Sequence, residues 1–559
     1  MSYLPEKTSV LIVGGGPCGL MLAIELGRRG IAATLVDAKP GTSLNPQANA
    51  TQARTMEHYR RLGFADELRA LGLPPDYPTD IAYFTRYADR ELTRFRLPSS
   101  KQAREVIRNL SGSWSAAELP HRVSQKFVEK VLRRHAAAYP TISVNYGWRL
   151  NKFEETTDGV IGYIENVQSG EPCTVRADYL FGADGARSTV RRQLGINYVG
   201  ETGVQRDFFG GQMVAVYLRA PDFYKTVASH DPAWMYWAFN PQRRSWLASV
   251  NGKDEFFFNT QLKPGEEGQE ISAMRAKELF AQAMGAPLDI EVLNVGTWIA
   301  GHCLVAESYG RGRVFIGGDA AHLFTPAGGN GYNTAVEDAV NLGWKLAALL
   351  KGTGGPELLP SYAFERQKLA IRNTGYARQL AESIGSLVPV PELERDDEAG
   401  NQARARAGEY LAAHARREFN IPGITFGGRY DGSPIIIGDG ALLPEDAMNV
   451  YVPTASPGGR PPHLWLSDNE SLFDRFGREW TLLRLGSAPP DVSAFVTIAA
   501  AMGIELKVVD ISLDEARSLY EADLALIRPD QIVAWRGDGK DVDAGKLLKC
   551  VLGHGAVIN

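Results

Sequence analysis

"TSVLIVGGGPCGLMLAIELGRRGIAATLVDAKP", residues 8–40, decides the fold. An apolar strand over Val10–Val13 runs into Gly14, Gly16 and Gly19, which form G-x-G-x-x-G. Pro17 heads an apolar helix expected from about Cys18 to Arg29. Gly30 then turns the chain into a second strand, Ala33–Val36, which ends at Asp37 and Ala38. Gly14 permits the tight turn, Gly16 lets backbone amides approach a pyrophosphate, and Gly19 packs helix on strand. The helix N-terminus offers unpaired N–H groups and partial positive charge to that phosphate. Asp37 stands where an acid accepts hydrogen bonds from ribose hydroxyls. A tight turn without a ligand is the bland alternative, and the full strand–helix–strand–acid context outweighs it. The unit alone leaves NAD, NADP and FAD open.

The rest of the composition narrows the setting. At 559 residues the chain suggests two to four domains. Hydrophobic content of 44% and charged content of 22% are those of an ordinary globular protein. A net charge of −5 argues against nucleic acid or an anionic membrane as partner. Cys18, Cys173, Cys303 and Cys550 have neither CxxC nor metal-ligand spacing, so no metal and a reducing, cytoplasmic setting are expected. "MSYLPEKTSV" lacks the basic start and apolar core of a signal peptide. No apolar run is long enough to span a bilayer.

Two further motifs follow in order. "ADYLFGADGARSTVRRQLG", residues 177–195, reads as a strand, an Asp184-Gly185 turn and a basic helix start. "GRVFIGGDAAHLFTPAGGNGYNTAVEDAVNLGWKLAALL", residues 312–350, reads as a strand closed by Gly317-Gly318-Asp319, then a turn into a long amphipathic helix. Pro326, Gly328, Gly329 and Gly331 precede or open that helix with no bulky side chain before Tyr332. A capping glycine alone does not require so many small residues.

These three motifs resemble the single-component FAD-dependent aromatic hydroxylases, the group A flavoprotein monooxygenases. The resemblance covers the whole chain, including "SLNPQANATQARTMEHYRRLGF" (43–64) and "PHRVSQKFVEKVL" (120–132). It implies that Asp37 binds the FAD ribose, and that Arg122 and Gln125 flank the ribityl and phosphate chain. Asp184 is then the acid of the Asp-Gly motif near both FAD and the path of the nicotinamide. Asp319, after Gly318, bonds the ribityl hydroxyls. Pro326, Gly328, Gly329, Gly331, Tyr332 and Asn333 line the isoalloxazine ring. Of these, Pro326, Gly328 and Tyr332 form the flavin-edge loop where the chemistry is expected, with no base assigned. Two departures stand out. Gln47 replaces an Arg common in relatives, so that Gln47 acts without charge or Arg54 assists, and Tyr332 stands where Met is usual.

The implied fold class is α/β: a Rossmann-like FAD-binding domain, a mixed-sheet substrate domain and a C-terminal thioredoxin-like α/β domain. The expected bounds are 1–79, 98–195 and 296–385 for FAD, and 80–97 with 196–295 for substrate. A helical linker over 386–425 and a thioredoxin-like domain without CxxC over 426–559 follow. Aromatic, partly alternating stretches between residues 209 and 262 predict strands roofing a pocket, with Tyr217, Tyr236, Trp237 and Trp246 as lining candidates. For each of these, core packing is the competing reading. His121, His322, His302, Arg86 and Tyr83 are weaker site candidates. In the C-terminal part "GRYDGSPII", "RPPHLWL", "WTLLRLG" and "LALIRPDQIVAWRG" read as strands, Pro529 opening a late one.

The reaction implied is reduction of FAD by NADH or NADPH, capture of O2 as the flavin C4a-hydroperoxide, and oxygen transfer to a small phenol-type ring. The alternative is a flavin oxygenase acting on a polyketide or antibiotic-like compound by hydroxylation, epoxidation or Baeyer–Villiger chemistry. A flavin halogenase would carry Trp-x-Trp-x-Ile-Pro, which is absent. An FAD-loaded binding protein without turnover is the non-enzyme rival. A homodimer is a further expectation.

Overall fold

The computed structural model describes residues 4–202, 208–266, 270–540 and 542–555. Residues 1–3 of the leader reading, 203–207 and 267–269 of the expected substrate domain, and 541 and 556–559 of the C-terminal part lie outside them.

The first glycine-rich unit folds as its sequence dictates. The strand Lys7–Val13 alternates little and is almost wholly buried, as suits a parallel strand covered on both faces. It pairs in parallel with Ala33–Asp37 on one side and Pro172–Gly182 on the other. Val314–Ile316 adds in parallel to Pro172–Gly182, and Ile142–Tyr146 to Ala33–Asp37. A hairpin of Trp148–Glu155 and Val160–Asn166 extends from the Pro172–Gly182 strand. The helix Pro17–Gly27 is buried on nearly every side. It lies against the helix Asn330–Leu350, and Gly343 permits the approach, since a Cβ there would stand 2.6 Å from Cβ of Glu25.

The second sheet has seven strands, in the order Glu291–Ile299, Gln212–Arg219, Glu255–Gln261, Arg244–Ser249, Met235–Phe239, Ile81–Phe84, Glu91–Phe95. The expected hairpin over 80–97 therefore joins strands far along the chain. Period-two alternation gives the sheet two apolar faces. One packs Val216, Leu218, Leu247, Phe256 and Phe258 against the helix Ala273–Met284. The other carries Met213, Trp237, Phe239 and Trp246. Tyr236 belongs to the first face, buried among Phe84, Tyr87 and Phe223, with its hydroxyl accepting from the Ala233 amide. It is thus no pocket residue, because its neighbour Trp237 takes the opposite face.

The C-terminal sheet runs Leu506–Ile511, Trp480–Leu485, Leu524–Ile527, Val533–Gly537, parallel in the first pair and antiparallel thereafter. Helices Ser493–Ala501, Asp514–Tyr520 and Ala544–Val551 pack around it. Two expected strands are absent. "GRYDGSPII" and "RPPHLWL" run as turns and extended chain with one isolated Trp465–Ser471 bridge. Pro434, Pro461 and Pro462 remove the N–H groups a ladder needs. Pro529 sits in the turn between two strands and opens neither.

This module is fastened to the rest by buried charge. Glu365 accepts from Lys345 (2.7 Å) and from both terminal nitrogens of Arg528 (2.7 and 2.9 Å), all fully buried. Glu57 is held by Arg460. Arg54 donates to the carbonyls of Asp530 and Gln531, so it clamps the module and does not stand in for a cofactor-binding arginine beside Gln47.

Candidate active site

The register of the first sheet explains where the motifs meet. Gly182 aligns with Val13 and with Ile316, and Val13 with Val36. Gly14–Gly16, Asp37, Ala183–Gly185 and Gly317–Asp319 therefore leave the carboxyl ends of four adjacent parallel strands, where open α/β sheets bind ligands. Gly14, Gly16, Asp37, Ala183, Asp184, Gly185, Gly318 and Asp319 border one cleft of about 2120 Å³, whose far wall is the aromatic face of the second sheet. That is about twice the upper end of ordinary small-molecule sites, ~1,000 Å³.

The phosphate turn divides its tasks as its glycines suggest. Gly14 has φ +113°, and a Cβ there would lie 2.1 Å from the Ala183 carbonyl oxygen. A Cβ on Gly19 would lie 2.0 Å from the Gly14 oxygen. Gly16 differs, for a Cβ would meet no protein atom within 4 Å. The space above it is open to the cleft, at the N-terminus of the helix that Pro17 begins. Asp37 accepts from the amides of Gly15 (2.6 Å) and Lys39 (2.7 Å), which fixes its carboxylate at the cleft edge beside Ala38.

Along the middle of the cleft lie Gln47, Arg122, Gln125 and Asp319. Arg122 stacks its guanidinium on Trp234 at 4.3 Å and makes no ion pair among the described residues. Burial lowers its pKa to about 10. Gln125 donates to Glu129 and its amide to the Ala48 carbonyl. The Asp319 carboxylate has no hydrogen-bond donor among the described residues, and recession into the cleft raises its pKa. Asp184 is committed locally. It accepts from the Ser188 hydroxyl and the Thr189 and Val190 amides, and so caps the helix Thr189–Gln193. Burial raises its carboxyl despite those bonds.

The flavin-edge loop expected at Pro326–Gly331 turns through the left-handed region that glycine adopts freely, with Gly328 at φ +68° and Gly329 at φ +63°. Gly329 caps the helix Asn330–Leu350. Gln52 donates its side-chain amide to the Gly328 carbonyl and to Asn330, and its backbone amide to Asn333. Asn333 returns bonds to the Ala50 and Gly329 carbonyls, so it ties the loop to the 43–64 stretch. The Gly328 amide is taken by Glu418 (2.9 Å). The remaining amides of that first helical turn have no intrahelical acceptor. Tyr332 borders the cleft, but its hydroxyl bonds Tyr59 and Tyr59 lies in the core.

Opposite stand Trp237, Trp246, Asn259, Ala215 and Gly296, aligned across five strands on one face. Trp298 donates its indole N–H to the Asn259 oxygen (3.4 Å), which leaves the Asn259 side-chain nitrogen as a donor. That nitrogen and the Trp237 indole nitrogen are buried without partners among the described residues. Phe209 stacks on Trp246 at 5.1 Å. Tyr217 reaches the cleft too, in a cluster with Lys126 and Glu255.

The weaker candidates separate. His322 bonds Asp338 (2.8 Å), which also accepts from Gly318 and Arg366, so it braces the Asp319 loop from behind. His121 bonds the Leu68 and Leu71 carbonyls in the core, and burial lowers its pKa to about 3. Arg86 pairs with Glu394 away from the cleft. His302 borders the cleft. Glu418, Gln52 and Asn259 escaped the sequence reading.

These residues fit FAD. Open space over Gly16, an unpartnered Asp319 carboxylate, an unpaired Arg122 and a glycine turn at a helix N-terminus suit phosphate, polyol and ring in turn. Residues 7–376 match the FAD-binding-domain family, and residues 454–554 match the aromatic-ring hydroxylase C-terminal family. The chain belongs to the FAD-dependent aromatic-ring hydroxylases. Its relatives include the FAD-dependent monooxygenase apdD of Emericella nidulans, 30% identical over 95% of this chain and 87% of that protein. Phenol 2-monooxygenase of a Pseudomonas species is 28% identical over 98% of this chain and 92% of that enzyme. Among solved structures, native and K252c-bound RebC-10x superposes with a TM-score of 0.88 at 33% identity, covering 99% of this hydroxylase and all of that chain. The protein is an FAD-dependent monooxygenase of α/β fold. No helix among the described residues is long and apolar enough to cross a membrane.

Proposed function

We propose that this hydroxylase inserts one oxygen atom from O2 into a phenolic or related aromatic ring, with NADH or NADPH as reductant. What carries the reading is the pairing of glycine turns at the strand ends with an aromatic wall across one cleft. FAD, when bound, supplies the redox chemistry and the activation of O2. In the proposed arrangement Gly16 and the helix at Pro17 bind its pyrophosphate, Asp37 its ribose, and Asp319, Arg122 and Gln125 its ribityl chain. Gln47 borders this path as a neutral group. The turn Pro326–Gly331 with Tyr332 would orient the ring edge, where the helix N-terminus favours negative charge.

Trp237 and Trp246 hold a flat ring and exclude water, so polar contacts in the cleft strengthen. The buried donors on Trp237 and Asn259 favour a substrate with oxygen acceptors. Tyr217 stands at the cleft margin, with Asp184 beside the expected nicotinamide approach. One chain builds the cleft, so the reading needs no homodimer. The bounds expected for the FAD, substrate and C-terminal units belong to this proposal, as does a cytoplasmic setting.

The cleft, which FAD and substrate would share, also leaves room for a second reading, a fused-ring polyketide-like substrate larger than a simple phenol. One experiment addresses both. Purified FAD-loaded protein is offered phenols, hydroxybenzoates and fused-ring polyketides, and substrate-stimulated NAD(P)H oxidation is read beside a gain of one oxygen by mass spectrometry. Stimulation with oxygen gain on simple phenols supports the first reading, and on fused rings alone the second. NAD(P)H oxidation that no compound stimulates contradicts both.

A further inference from the structure

The cleft's acids divide by place. Asp37, Glu129, Asp184 and Asp319 stand on the dinucleotide side, whereas Glu418 arrives from the helix Glu398–Phe419, next to Phe419 and Ile421. One Glu418 oxygen accepts the Gly328 amide (2.9 Å) and the other meets His414 Nε2 (2.7 Å). His414 Nδ1 in turn meets the Ser383 hydroxyl (3.0 Å), on a half-buried residue of the helix Leu358–Gly385. The His414 and Glu418 side chains are 0% and 6% exposed. Tyr83 also faces Glu418, from the strand Ile81–Phe84, its hydroxyl buried and without a partner among the described residues. Carboxylate, imidazole and hydroxyl thus run in hydrogen-bonded sequence from the flavin-edge loop toward the surface.

We propose that Glu418 is the base of the hydroxylation, with His414 and Ser383 as its proton exit. This rests on the phenolic reading above. The substrate O–H bond breaks, its electron pair stays on oxygen as phenolate, and the proton goes to Glu418. Glu418 hands a proton to His414 Nε2 as Nδ1 releases one to the Ser383 hydroxyl, which passes one to solvent. Carboxylate and imidazole return to their starting charges, and the phenolate formed is balanced by the proton released. A phenolate ring is more nucleophilic than the phenol, and a placed base contributes about 10²–10⁴ in rate. His302 also borders the cleft, but its Nδ1 is held by Thr202 (3.1 Å).

Glu418→Gln isolates the proton, because glutamine still accepts the Gly328 amide. FAD content and NAD(P)H-driven flavin reduction are expected within twofold of wild type. Product should fall at least about 100-fold at neutral pH, with hydrogen peroxide in its place, and recover as rising pH ionises the free phenol. His414→Gln should give a smaller loss with the same recovery. Product within twofold of wild type in both variants overturns the proposal, and so does a loss that high pH does not restore. A second readout needs no turnover. FAD-loaded wild type should bind 4-nitrophenol with a larger phenolate fraction, by difference spectrum, than free solution shows at that pH. Glu418→Gln should lose that excess, or His414→Gln if the first variant fails to fold. Equal fractions in wild type and variant overturn the base assignment. Failure of every compound to gain oxygen with wild type refutes the phenolic reading instead.

Discussion

Replacing Gly16 and Gly14 separately by alanine distinguishes a ligand-binding turn from a merely tight one. At Gly16 the backbone is extended, with φ −80°, and a new methyl group meets no protein atom within 4 Å. Alanine there reduces unfolded-state entropy by about 0.4–1 kcal/mol but is a poorer N-cap by a few tenths or more, so the apoprotein should change by less than about 1 kcal/mol. The methyl group does occupy the space assigned to the pyrophosphate. Loss of the charge-assisted bonds made there, about 1.5–3 kcal/mol, weakens FAD roughly 10- to 150-fold. At Gly14 the clash is internal, 2.1 Å from a backbone oxygen at φ +113°. Alanine there should destabilise the apoprotein by at least about 1–3 kcal/mol from backbone strain alone. Thermal unfolding of both apoproteins and titration of each with FAD, followed by quenching of flavin fluorescence, give the two quantities. A Gly16→Ala protein that binds FAD as tightly as wild type refutes the placement of the phosphates.

Asp319→Ala should weaken FAD by about 10- to 150-fold while leaving apoprotein stability within about 1 kcal/mol, since its carboxylate receives no bond from the described residues. Equilibrium dialysis and a melting curve check both. Arg528→Met leaves buried Glu365 with Lys345 but without its guanidinium, and should cost about 3–5 kcal/mol in denaturant unfolding. Glu25 sets an acid limit. Burial alone would raise its carboxyl, but Arg61, Arg29 and Arg28 outweigh it and hold the pKa at about 2. The folded value lies below the unfolded one of 4.5, so roughly 3 kcal/mol of stability is present above pH 4.5 and is lost as pH falls toward 2. Glu25→Gln should flatten the stability curve across that window, measured by urea unfolding at stepped pH.

The dinucleotide unit was legible because every constraint on it is local. A positive φ, a helix start and a strand-end acid lie within thirty residues, and the same holds for the Gly317–Asp319 and Gly328–Gly331 turns. The aromatic strands were legible in existence but not in facing, which is why Tyr236 and Trp237, adjacent in sequence, point to opposite sides of their sheet. The proline-containing stretches near 434 and 461 have apolar residues at strand spacing but lack the amides for pairing. Long-range partners were hidden altogether. His414 and Glu418 are spaced to meet on a helix face, yet nothing in the sequence brings that helix to Gly328. Arg54 sits beside a cofactor stretch and turns instead to Asp530, more than four hundred residues away.

The most direct test of the account is a crystal structure of the FAD-loaded protein. It should show one extended FAD with its pyrophosphate over Gly16, its ribityl hydroxyls within hydrogen-bond distance of Asp319, and its ring edge at Gly328–Tyr332 facing Trp237 and Trp246. An FAD whose ring lies outside the cleft, or whose phosphates avoid Gly16, would contradict it.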